Sequence, residues 1–164
     1  MINTVDKVIT SRVFEITVGD GRSPKDLAEG AHFGWVGVSE SYDFEQNTFP
    51  RSQDESGVVQ LVLFQFDSGV THTQVITTIH RTGYTLPKAE DSLRFAEKFP
   101  EEQTRKSIIF LTTNEVIQVP VLVHHVQLGR GFVKILPPYQ QPWTWDERMD
   151  GPYCFAVRIP KLVS

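Results

Sequence analysis

Val58-Val59-Gln60-Leu61-Val62-Leu63-Phe64-Gln65-Phe66 is apolar on both of its alternating faces. A strand with water on one side alternates apolar and polar residues, so this pattern predicts a strand covered on both sides, the centre of a sheet. Two consecutive helices are expected after it. Thr71 and Gln74 have capping-box spacing and open a helix whose Val75, Ile76 and Ile79 share one face, with Gly83 as its stop. A second helix begins near Pro87, is acidic in its first turn at Glu90 and Asp91, buries Leu93, Ala96 and Phe99, and ends at Pro100.

Beyond the helices four more strands are expected: Ser107 to Thr112, Val116 to Val126, Gly131 to Leu136 and Phe155 to Ile159. Pro120 lacks an N–H, which puts that point of its strand at a sheet edge or bulge. Upstream, Val13 to Val18 reads as a short strand, and Ser23-Pro24 supplies an N-cap and first-turn proline for a short helix through Ala28, ended by Gly30. Ala31 to Pro50 reads as a flap anchored by aromatics, and Arg51 to Gly57 as its linker-like end. The fold class expected is therefore α+β, a mainly antiparallel sheet flanked by two consecutive helices. It forms a single domain over 1–164, in which a loop-rich region, 1–57, packs on a core at 58–164.

The 164 residues suit one domain. Surface scaling lets a chain of this size bury about 70% of its extended surface without metal or disulfide. With 16 Lys and Arg against 20 Asp and Glu, the formal charge of -4 supplies no basic field for nucleic acid or anionic lipid. Cys154 is the sole cysteine, which excludes an internal disulfide, a multi-thiolate zinc site and a two-cysteine redox pair. No apolar run approaches the roughly 20 residues of a membrane span, and the start, Met1 to Lys7, is too polar for a secretion signal. A soluble, cytoplasmic protein is expected.

Gly83-Tyr84-Thr85-Leu86-Pro87-Lys88-Ala89-Glu90-Asp91, continued by Leu93 and Phe95 to Pro100, resembles a motif of a family of small uncharacterised bacterial proteins. Ser107 to Phe110, Trp143 with Trp145, Phe155-Ala156-Val157-Arg158, Trp35-Val36 and Phe49-Pro50 are similar to other parts of that family, so the resemblance covers most of the chain. The family carries no assigned activity. More distantly, Gly83 to Pro87 and the element order resemble the C-type-lectin-like fold, including its formylglycine-generating-enzyme branch. That resemblance implies an antiparallel sheet flanked by two helices, with a long ligand-binding loop before the final strands. With Cys154 alone, the chain lacks the paired catalytic cysteines of that branch and the disulfides of secreted lectins, and no Glu-Pro-Asn-like calcium motif is present.

Side chains with chemical potential are sparse and scattered. His72 and His80 sit eight apart on one helix, two turns apart in height, too far to share a metal. Neighbouring His124 and His125 on a strand point to opposite faces. Cys154 opens an apolar strand and reads as a buried, inert thiol. Gly19-Asp20-Gly21 and Leu128 to Gly131 match no phosphate-binding spacing, and no serine lies in a nucleophile-elbow pattern. No catalytic residue, metal or cofactor is therefore assigned.

The stretch Tyr139 to Asp150 stands apart. Trp143 and Trp145 share one side of an extended chain and offer large, rigid contact area, beside amides and carboxylates suited to sugar hydroxyls, a peptide or a cation. Asp146, Glu147 and Asp150 lack EF-hand spacing. The expected function is non-enzymatic recognition of a protein, peptide or glycan through Tyr139, Gln141, Trp143, Trp145, Asp146 and Glu147. Burial of the tryptophans under the loop is the competing reading of these residues. Two other functions stay open: an enzyme in which His124 or His125 meets a carboxylate from the N-terminal flap, and an oligomeric assembly subunit.

Overall fold

The computed structural model describes residues 8–23, 26–27, 30–31, 55–66, 69–112, 119–125, 130–136, 144–145 and 152–161. It is an α+β fold built on one mixed sheet. The strands are β1 (Val8–Thr10), β2 (Phe14–Val18), β3 (Gly57–Phe66), β5 (Ser107–Ile109), β6 (Val119–His125), β7 (Arg130–Leu136) and β9 (Tyr153–Arg158), while β4 (Val70–Thr71) and β8 (Thr144–Trp145) form a separate two-residue ladder. Strand order is β1 and β2 together, then β3, β9, β5, β6 and β7. Every pair is antiparallel except β5 with β9.

The double-sided pattern of β3 has its expected cause. Val59, Leu61 and Leu63 enter one apolar cluster with Leu93, Phe95 and Ala96, while Val62, Phe64 and Phe66 enter another with Val75 and Ile79. Helix α1 (His72–Arg81) thus covers one face of the sheet and α2 (Ala89–Lys98) the other. Each large side chain fully buried there contributes roughly 1.5–3 kcal/mol.

Local signals set the helix ends. Gln74 N–H donates to Thr71 Oγ1 (3.2 Å) and Thr71 N–H to Gln74 Oε1 (2.9 Å), and at the far end Gly83, at φ +85, donates to the His80 carbonyl (3.1 Å). On the N-terminal side, Asp26 N–H donates to Ser23 Oγ (3.1 Å), and residues 26, 27 and 30 are helical with Leu27 fully buried. Gly30 is the last helical residue described there, with Ala31 N–H donating to the Leu27 carbonyl (3.0 Å).

Three expectations change. Pro120 is not at an edge: β6 lies between β5 and β7. Its carbonyl accepts from Phe110 N–H (2.9 Å), one residue past the end of β5. Since paired antiparallel residues exchange both bonds on the same side, the missing N–H of Pro120 falls where that ladder already stops. Secondly, the strand expected over Phe155 to Ile159 runs from Tyr153 to Arg158, in the interior of the sheet. All six residues of β9 are buried, because β3 and β5 flank it and apolar layers cover both its faces. Thirdly, Val8–Thr10 forms a strand that composition did not announce. It continues the line of β2 along β3 after an interruption at 11–13.

Candidate functional site

Among the residues expected to bind a ligand, Trp145 lies in the described part of the chain; Tyr139, Gln141, Trp143, Asp146 and Glu147 lie outside it. The backbone at Trp145 pairs with Val70, and that at Thr144 with Thr71, the N-cap of α1. One point of the 137–151 segment is therefore fixed against the start of a helix that is itself anchored by buried Val75 and Ile79.

Among the described side chains, the other candidate groups are not brought together. His72, the first residue of α1, is buried, whereas His80 is exposed in the last turn. His124 and His125 stand opposite Gly131 and Arg130 in the β6–β7 ladder, and His32 lies outside the described residues. Cys154 is fully buried, its Sγ 3.7 Å from the Ser107 carbonyl, and burial pushes its thiol up to about 12, so it is not a nucleophile at neutral pH. Among the described residues no group of three or more His, Cys, Asp and Glu is placed to hold a metal ion, and no helix is long and apolar enough to cross a membrane.

Among the described residues, a buried polar cluster forms that the sequence did not reveal. Glu90, Asp91 and Arg94 on α2 are buried to 3, 1 and 3% exposure, and Arg158 at the end of β9 to 8%. Arg158 grips Asp91 with two donors, Nε to Oδ2 at 2.7 Å and Nη2 to Oδ1 at 2.8 Å, and reaches Glu55 Oε2 with Nη1 at 2.8 Å. Asp91 also accepts the Lys88 N–H (2.8 Å), so a single carboxylate both caps α2 and holds β9. Thr85 and Arg158 exchange two backbone hydrogen bonds of 2.9 Å. The stretches Gly83–Asp91 and Phe155–Arg158 thus meet, and their Asp and Arg have a structural role.

A second chain of charges runs along the same helix. Glu90, Arg94 and Glu97 are spaced to fall on one face. Arg94 donates to Glu90 Oε1 (2.8 Å), to both Asp20 oxygens (2.9 and 3.1 Å) and to the Thr17 carbonyl (2.6 Å). Arg22 then bridges Asp20 (3.0 Å) to Glu97, which it meets with two bonds of 2.6 Å. Gly30 lies against the Glu97 carboxylate, where a Cβ would collide with Oε2.

The electrostatics follow from these contacts. Hydrogen bonding from Arg94 holds the Asp20 carboxyl far below the usual carboxylate range, and Arg158 holds Glu55 down at about 2. For Arg158 and Arg94, burial opposes the charge, but Asp91 with Glu55 and Asp20 with Glu90 more than offset it, leaving both pKa values raised. Asp20 and Glu55 are therefore anions at any physiological pH and do not act as acids there. The cluster cross-links α2, β9 and the chain around 17–22 and 55. Comparison with protein-family models, with curated proteins and with solved structures finds no match.

Proposed function

We propose that this is a non-enzymatic recognition protein whose Tyr139, Gln141, Trp143, Trp145, Asp146 and Glu147 form the surface for a protein, peptide or glycan ligand. The observation that carries the reading is the β4–β8 ladder, in which Trp145 pairs with Val70. A binding loop tethered to a packed helix loses less freedom on association than an untethered one, which favours affinity. The aromatic and acidic composition of 139–150 is of the kind that recognises sugars and peptides. An α+β scaffold with a long connection ahead of β9 is in keeping with a C-type-lectin-like arrangement, and a chain with one cysteine suits the cytoplasm of a bacterium.

The test is selection on a glycan array and on a displayed-peptide library with the whole chain, followed by the double variant Trp143→Ala/Trp145→Ala. Affinity for the selected ligand should fall roughly 30-fold or more, the effect of losing hot-spot aromatics, while thermal unfolding stays cooperative. Undiminished affinity in the variant, or no ligand from either selection, rejects the proposal.

A further inference from the structure

We infer that the N-terminal edge strand has two competing registers on β3, and that a bulge at 11–13 selects between them. Thr10 stands opposite Phe64 and Phe14 opposite Leu61, so three residues, Ser11, Arg12 and Val13, face only Val62 and Leu63. The extra residue reverses the strand's faces. Val8 packs with Phe66 on the α1 side of the sheet, yet Phe14 and Ile16, also at even positions, pack on the α2 side.

Continuing the β2 register without the bulge would set Val13 opposite Val62, Ser11 opposite Phe64 and Ile9 opposite Phe66. Those three partners all belong to the α1-side core. Ile9 and Val13 would then turn inward, and these are two of the three large apolar residues exposed among the described residues in the present register, at 61 and 45%. Exposed apolar side chains with the parity of a core strand are what an alternative pairing leaves behind. Arg12 fits both arrangements: it already lies over the Phe14 ring, 4.2 Å from its centroid, on the face that the regular register assigns to it.

Ser11 holds the bulged form. Its N–H donates to the Leu63 carbonyl (3.0 Å), and its hydroxyl takes the Leu63 N–H (2.8 Å) in place of a backbone carbonyl. Bulged and regular registers exchange this side-chain bond and the packing of Val8 for ladder bonds and the burial of Ile9 and Val13, quantities of similar size and opposite sign. The edge strand is thus a slider that displays an apolar pair in one state and withdraws it in the other.

Two cysteine pairs in the full chain distinguish the registers. Ile9→Cys/Gln65→Cys places thiols opposite each other in the bulged register, and Thr10→Cys/Gln65→Cys does so in the regular one; buried Cys154 takes no part. Under mild oxidation with glutathione, followed by thiol blocking and mass spectrometry, both pairs should close. Adding Ser11→Ala should raise closure of the second pair about fivefold, the worth of one hydrogen bond, and Val13→Lys should suppress it while sparing the first. Full closure of the first pair with the second left reduced overturns the inference. Should either variant misfold, NMR of the unaltered chain decides: contacts of the Ile9 side chain with the side chains of both Gln65 and Phe66 support two registers, and side-chain contacts with Gln65 alone exclude them.

Discussion

Arg158 is a guanidinium carried into the core by an apolar strand, and it is tolerated because Asp91 and Glu55 meet it there. Removing one partner of such a pair strands the other charge, whereas removing both charges need cost little. Arg158→Met should therefore lower stability by about 3–5 kcal/mol. Combining it with Asp91→Asn, which keeps an acceptor for the Lys88 N–H, should recover at least half of that loss, as read from urea unfolding of both variants. Helix periodicity correctly placed Glu90 and Asp91 in a first turn, where the macrodipole favours anions. It gave no sign of their burial: Asp91 is met by Arg158, sixty-seven positions away, and the Arg94 that pairs with Glu90 one turn on is itself held by the distant Asp20. The hint available was an arginine ending the apolar run Phe155-Ala156-Val157.

At the level of elements, Thr71 has two tasks: its hydroxyl caps α1 and its backbone pairs with Thr144. Thr71→Val keeps a β-branched residue in the ladder and removes the hydroxyl, so it should cost about 1 kcal/mol in chemical denaturation. An unchanged midpoint would mean that the cap contributes nothing beyond the ladder. Caps and periodicities of this sort were legible because cause and effect lie within a few residues. The positions of Pro120 and of Val8–Thr10 were not legible, since what decides them is where β5 stops and where a bulge restarts the pairing. Of the six residues expected to form the ligand surface, the structure locates Trp145 alone, and its pairing with Val70 carried no sequence signature.

At the scale of the whole molecule, Asp20 and Glu55 tie stability to pH. Both bind protons more weakly folded than unfolded, Glu55 near 2 against an ordinary 4.5. Their contribution is complete above the ordinary value and is lost as pH falls through the folded one, because the unfolded chain takes up protons first. The urea midpoint should hold between about pH 7 and pH 5 as far as these two groups govern it and decline towards about pH 2; Glu55→Gln should flatten part of that decline. The α+β class was legible from the run at 58–66 and the two helices, but the strand order was not, for apolar alternation says that β9 is covered without saying by what. That order has a consequence for biosynthesis. β9 is inserted between β3 and β5, so the part of the sheet containing β3 and the part containing β5 to β7 have no strand in common until it arrives. On a ribosome the roughly 90 residues from β3 to β9 take about 5–20 s to emerge. Throughout that interval the nascent chain carries an open, strongly apolar strand edge, a natural substrate for chaperones that shield unpaired strands.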